Sequence, residues 1–507
     1  MMRLRMLIKN AGISSVYSII SLIVNFVARN IFLRFLNVDY LGINGLFTNI
    51  ISMLSITDLG IGTAIIYKLY KPLSDGDTEA VKSIIKFYKS AFRVIAIIIT
   101  FFGIIVSFFL PVLVGKITVD VNIYIVYFLF LFETISSYLL TYKRSILIAD
   151  QKNYIIVLCD IFYIVVMNVL QTIILFVSKN YYLYLMIRIL CRIAENIIIT
   201  FIANKMYPYL CEKNIKPLDK CILNDIVVKI KGLIFHKIGY FALSGTDNII
   251  ISAFISVKAV GFYSNYLIII NALNSLIGQA INSVTSTIGN LLITEDKNYS
   301  YEIFKIFQFV CFWIYSITAL MVYCGAKPFI SLWLGKNYLL GDTIVAILVI
   351  NYFMQGFKKN TNMFKEAAGI FHEDRFMPLI ESIINIVVSI ILVQYLGIIG
   401  VILGTIISSL FLYFYSYPKY TYLPLFEKKY IQYLVDYLPY MFLFIVMLIL
   451  TIHFNNMINI SNLYINFIVK IGSVFIIVNL IYIIIFFKTN SFKKIIKILF
   501  NSFKIFQ

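Results

Sequence analysis

The stretch AGISSVYSIISLIVNFVARNIFLRF, residues 11–35, decides the fold class. It is longer than the ~20 apolar residues a helix needs to cross a bilayer. Met1 to Asn10, with Arg3, Arg5 and Lys9, resembles the start of a signal peptide. The apolar run behind it is too long for one and lacks a small-x-small cleavage site, so it reads as a retained first spanning helix. Within it Ser14, Ser18, Ser21, Asn25 and Arg29 recur at steps of three and four and therefore share one face. Small polar groups on such a face also glue helices together, but an arginine at membrane depth costs ~2.5–3.5 kcal/mol on insertion scales and marks a cavity or pathway.

The rest of the chain repeats this pattern. Of its 507 residues 61% are hydrophobic and 13% charged, against roughly 45–50% and ~25% in soluble domains. A water-soluble globular protein and a soluble enzyme on one tether are both excluded. About fourteen apolar stretches fit spanning helices: 11–33, 43–67, 87–110, 119–142, 154–178, 181–204, 233–255, 259–292, 303–325, 340–362, 376–395, 397–417, 434–454 and 462–487. A membrane barrel would show short alternating segments instead. The expected fold is an all-α polytopic membrane protein.

The net charge of +19 would suggest nucleic acid in a soluble chain; here it is better explained by basic cytoplasmic loops facing anionic headgroups. Of the 43 Lys and Arg, 32 fall in the termini and alternate loops, six in the opposite loops (Arg34, Lys116, Lys179, Lys258, Lys327, Lys336) and five inside helices. This bias predicts an even helix count with both termini cytoplasmic.

The longest polar connection, Lys205 to Lys231, suggests a linker between two six-helix lobes. Val38-Asp39-Tyr40-Leu41-Gly42 matches Val257-Lys258-Ala259-Val260-Gly261, and Leu147 to Gln151 parallels Gly369 to Glu373 at a similar offset. Such parallel repeats occur in many transporters. The expected organisation is a lobe at 1–206, a cytoplasmic linker at 207–231, a second lobe at 232–418 and, at 419–507, an extra helix pair with a basic tail.

Polar stripes mark the first two helices of each lobe. Asn44, Thr48, Ser55 and Asp58 line the second helix; His236, Tyr240, Ser244 and Asp247 line the seventh; Asn271, Asn274, Gly278, Asn282 and Thr285 line the eighth. Together with Arg29, the carboxylates Asp58 and Asp247 are expected at a water-filled central cleft. Arg188, Arg192 and Glu195 lie within two turns and suggest local pairing, whereas Glu133 and Asp160 have no sequence-local partner. Gly397, Gly400, Gly404 and Ser408 form a small-residue face suited to close helix packing. The six cysteines have no CxxC pair and read as packing residues. The three histidines lie far apart, so no metal site is expected. No GxxxxGK, HExxH or GxSxG motif is present, and neither a catalytic residue nor a cofactor is expected.

Several stretches then carry a family resemblance: Tyr40 to Phe47, Asp58 to Gly62, Tyr67 to Leu73, His236 to Gly239, Thr246 to Ser252, Gly261 to Tyr266, Trp333 to Gly335 and Gly397 to Val401. As an ordered set they resemble the polysaccharide-transporter branch of the multidrug/oligosaccharidyl-lipid/polysaccharide exporter superfamily, the O-antigen and capsular repeat-unit flippases. The resemblance implies two lobes around a central cavity, alternating access in the bacterial cytoplasmic membrane, and an undecaprenyl-pyrophosphate-linked oligosaccharide as cargo. It implies that Arg29, with Lys237 near the cytoplasmic mouth, receives the diphosphate and that Asn25, Asn44, Asn271, Asn274 and Asn282 meet sugar hydroxyls. Asp58 and Asp247 then suit a coupling ion, Na+ or H+. Membrane lipids and polysaccharide-assembly proteins are the other implied partners. The alternatives are a drug/cation antiporter of the same superfamily, against which the two helices after residue 430 count, and a membrane-embedded polysaccharide polymerase, against which the short, weakly charged outer loops count.

Overall fold

A computed structural model describes residues 2–55, 61–114, 119–212, 245–282, 284–370, 373–458 and 460–505. Among them there is no strand. The helices run α1 (Met2–Phe35), α2 (Val38–Leu54), α3 (Ile61–Asp75), α4 (Thr78–Ser107), α5 (Leu110–Val114), α6 (Ile123–Leu140), α7 (Arg144–Ala149), α8 (Asn153–Val177), α9 (Tyr181–Met206) and α10 (245–254). They continue as α11 (Val257–Asn282), α12 (Thr285–Thr294), α13 (Lys297–Trp333), α14 (Asp342–Phe357), α15 (Lys359–Ala367), α16 (Met377–Leu396), α17 (Ile398–Phe411), α18 (Leu423–Phe426), α19 (Tyr430–Met457), α20 (Leu463–Phe486) and α21 (Asn490–Ile505). A π-helical stretch, Leu412–Tyr422, joins α17 to α18 and contains Pro418, whose missing N–H suits a departure from the α ladder. Asparagine starts three of the long helices: the side chains of Asn122, Asn180 and Asn462 each accept two backbone N–H bonds from the first turns of α6, α9 and α20.

Ten described helical segments are long and apolar enough to cross a membrane. They coincide with ten of the fourteen stretches read from the sequence. The other four differ for identifiable reasons. The stretch 181–204 is one helix, α9, but carries Arg188, Arg192 and Glu195. The stretch 340–362 is broken at Lys358 into α14 and α15. The stretches 43–67 and 233–255 run into residues outside the described set, as do Asp58, His236, Lys237, Tyr240, Ser244 and most of the 207–231 linker.

The chain forms two compact units, Met1–Gly261 and Phe262–Gln507. In the first, α1 packs on α8, α8 on α9, and α6 on both α4 and α9. The two matching pentapeptides meet reciprocally inside it. A Cβ on Gly42 would stand 1.9 Å from the Val257 carbonyl oxygen, and one on Gly261 2.5 Å from that of Val38. Backbone therefore lies directly on backbone, which is why both segments end in glycine. In the second unit α13 is the central helix, with α14, α15, α19, α20 and α21 against it. Beside them α16 and α17 form a tight hairpin. Gly397 turns the chain at φ +58°, a left-handed conformation that costs glycine little. A Cβ on Gly400 would lie 2.3 Å from the Leu392 carbonyl, so this small-residue face does pack helix on helix.

Candidate functional site

Of the sequence-predicted residues, Arg29 and Asn44 lie in one cluster in the first unit and Asn274 in another in the second. In the first unit, Arg29 lies half-buried on α1, with the Tyr184 hydroxyl within electrostatic range. One turn on, Phe32 is buried against Tyr184, ring centroids 5.2 Å apart. Asn180 caps α9 and so fixes Tyr181 at the helix start. The Tyr181 hydroxyl donates to Asn44 Oδ1 at 2.8 Å. The Tyr181 ring packs on Tyr40, one turn before Asn44 on α2, at 4.7 Å. A cation, an amide and three tyrosines thus come together from α1, α2 and α9. Asn25 is exposed and donates to Ser21 Oγ at 3.2 Å along the predicted stripe. Asp247 lies half-buried on α10, and Asp58 and Lys237 lie outside the described residues.

In the second unit, Asn271 is exposed and Asn274 half-buried on α11. The Lys359 ammonium, at the start of α15, donates to Asn274 Oδ1 at 3.4 Å. It also stands 5.2 Å from the centre of the Tyr315 ring, a cation–π distance. One turn along α11, Gly278 leaves the ammonium uncovered: a Cβ there would meet only Lys359 Nζ, at 3.4 Å. Among the described residues Lys359 has no carboxylate within ion-pair distance. The side chain of Asn282 is outside the described set. Sequence reading missed Lys359 because Lys358-Lys359 looks like part of a basic loop. The available signal was Gly278 on the same stripe as Asn274, a gap in a polar face.

Other charges at membrane depth pair with one another. Arg188 on α9 bridges to Glu133 on α6 at 2.6 Å and lies over the Phe130 ring at 4.2 Å. Arg144 on α7 bridges Asp160 on α8 at 3.2 Å and Glu195 on α9 at 2.9 Å. Arg192 closes on Glu195 at 2.7 Å, the local i,i+3 pair the spacing suggests. Arg188 instead reaches another helix, and Glu133 and Asp160 thereby gain partners that sequence spacing did not reveal. A cavity of about 330 Å³ between α8 and α9, lined by Phe162, Tyr163, Val166, Cys191 and Glu195 among others, contains none of the residues expected to meet cargo or a coupling ion. In the second unit Lys358 pairs with Glu381 at 3.4 Å, unlike its neighbour Lys359.

The arrangement is chemically able to hold an anion on a guanidinium or an ammonium, and a polyol on asparagine amides and tyrosine hydroxyls. Among the described residues no cluster of His, Cys, Asp and Glu suits a metal ion.

No protein-family profile and no curated protein matches the sequence. Among solved structures, the chain is similar to an inward-facing multidrug resistance MATE family transporter of the MOP superfamily, at 14% identity over 77% of this chain and 91% of that one, with a TM-score of 0.60. It is also similar to the lipid II flippase MurJ in an inward closed conformation, at 15% identity over 92% of this chain and 98% of that one, with a TM-score of 0.63. The chain has an all-helical fold similar to that of these two membrane transport proteins, and its ten long apolar helical segments suit a multi-pass membrane protein.

Proposed function

We propose that the protein is a flippase of the polysaccharide-transporter kind, moving undecaprenyl-pyrophosphate-linked oligosaccharide repeat units across the bacterial cytoplasmic membrane by alternating access, for surface polysaccharide synthesis. The observation that carries this reading is Lys359, a half-buried cation resting on neutral partners, Asn274 and Tyr315. A half-buried cation whose partners among the described residues are an amide and a ring gains most from an anion. Lys359 is a donor for a diphosphate, and Arg29 is the corresponding cation of the first unit. Asn25, Asn44, Asn271, Asn274 and Asn282 hydrogen-bond sugar hydroxyls, while the polyprenyl tail stays among the lipids. Lys237 assists the diphosphate, and Asp58 and Asp247 are the carboxylates available to a coupling Na+ or H+. Both termini are assigned to the cytoplasm from the lysine and arginine bias. Polysaccharide-assembly proteins are the natural partners of such a transporter.

The fold equally suits a drug/cation antiporter, since one of the similar structures is named as a multidrug resistance transporter. Two features favour the flippase. Arg29 and Lys359 repel an organic cation, and the helix pair α19 and α20 extends beyond two six-helix lobes. The test is complementation in cells lacking a repeat-unit flippase, with organic-cation efflux measured in parallel. Outward appearance of lipid-linked repeat units without altered efflux is expected. Efflux of organic cations with no repeat-unit transport overturns the flippase reading in favour of the antiporter.

A further inference from the structure

The helix α21 is the most strongly amphipathic of the described helices and holds no acidic residue; the last acidic residue in the whole sequence is Asp436. Lys493, Lys494 and Lys497, one and four residues apart, lie on one side of it and are exposed, as is Lys488 just before it. Phe492, Ile495 and Ile496 occupy the other side. The depth of this helix follows from two rings on α13. At the end of α20, Phe486 packs on Phe309 at 5.0 Å and on Trp313 at 6.3 Å. Six residues later Phe492 returns to the same pair, 6.4 Å from Phe309 and stacked on Trp313 at 5.9 Å. Thr489 makes the turn, its amide donating to the Phe486 carbonyl at 2.8 Å. The first turn of α21 therefore sits level with the end of an apolar span rather than out in water. A helix with one apolar and one basic side at that level belongs along the boundary of acyl chains and headgroups. Lys494 is paired with Glu302 at 2.5 Å. Lys488, Lys493 and Lys497 have no carboxylate within ion-pair distance among the described residues.

We propose that Lys488, Lys493 and Lys497 bind anionic phospholipid headgroups and hold α21 on the membrane surface, beside α13 and α20. The partner is a lipid surface because charge and depth coincide: the lysines emerge where headgroup phosphates lie, and each such lysine adds about fivefold to surface partitioning.

The test is backbone hydrogen–deuterium exchange of residues 490–505 in the full-length protein. It is read in nanodiscs of phosphatidylcholine alone and of phosphatidylcholine mixed with phosphatidylglycerol. Exchange is expected to slow at least tenfold in the anionic discs, with α20 unchanged. The triple variant K488Q/K493Q/K497Q should lose that slowing, and K488R/K493R/K497R should keep it. Equal exchange in both discs overturns the proposal, as does a slowing that survives in the glutamine variant. Slowing in neutral discs on adding inorganic phosphate overturns the lipid assignment, since a free anion would then suffice.

Discussion

In the first unit the charges on α6 to α9 are tied to one another, Arg188 to Glu133 and Arg144 and Arg192 to Glu195; in the second, Lys359 leans on an amide and a tyrosine ring. The two arrangements answer different physical needs. A closed set of opposite charges offsets its own desolvation and fixes helices against each other, and little of its field is left for a ligand. A cation on neutral partners keeps its field and has more to gain from an anion than from its present contacts. Burial of charge in an apolar helix does not by itself identify a binding site; the identity of its partners does.

The largest expected effect falls on the paired side. Replacing Glu195, which is 3% exposed, by leucine takes the carboxylate from Arg192 and leaves Arg144 with Asp160 alone, at a cost of ~3–5 kcal/mol. Yield and melting temperature of the detergent-solubilised protein should fall sharply. Lys359→Gln strands no carboxylate and should leave both nearly unchanged. Equal losses from the two variants would erase the distinction between the regions.

Next in size is transport. Loss of a charge-assisted hydrogen bond of ~1.5–3 kcal/mol predicts that Lys359→Gln slows cargo transport by about ten- to hundredfold, measured per folded protein. Arg29→Ala should act similarly and Arg29→Lys recover only part, because an ammonium cannot reproduce the planar fork.

The glycines sharpen the same contrast through space rather than charge. Gly42→Ala drives a Cβ into the Val257 carbonyl and should destabilise by ~1–3 kcal/mol. Gly278→Ala meets only the mobile end of Lys359, so stability should hold. The smallest effect is Tyr181→Phe, which removes the bond to Asn44 at about 1 kcal/mol, visible as a shift of a few degrees or less in the melting temperature.

How much of this was legible depended on whether the signal was periodic. Apolar runs and glycine–small spacing are local properties, so most spans and the α16–α17 packing face were readable from the sequence. Asn44 was readable as a polar group on an apolar helix, but Tyr181 was not, because its role depends on α9 starting beside α2. Asp160 found Arg144 across a helix junction, and no spacing rule spans that distance. Lys359 was obscured by Lys358: adjacent lysines read as a loop, while the break between α14 and α15 sends one to Glu381 and the other toward Asn274. Asp58 and Lys237 keep only their sequence argument.

The most direct measurement is outward appearance of lipid-linked repeat units in cells carrying Lys359→Gln, Arg29→Ala or the double variant, normalised to folded protein in the membrane and set beside melting temperatures. Transport reduced about tenfold or more in each single variant, with melting temperatures within a few degrees of the unsubstituted protein, is the predicted result. Normal transport in the double variant at normal folded levels would contradict the assignment of these cations to cargo.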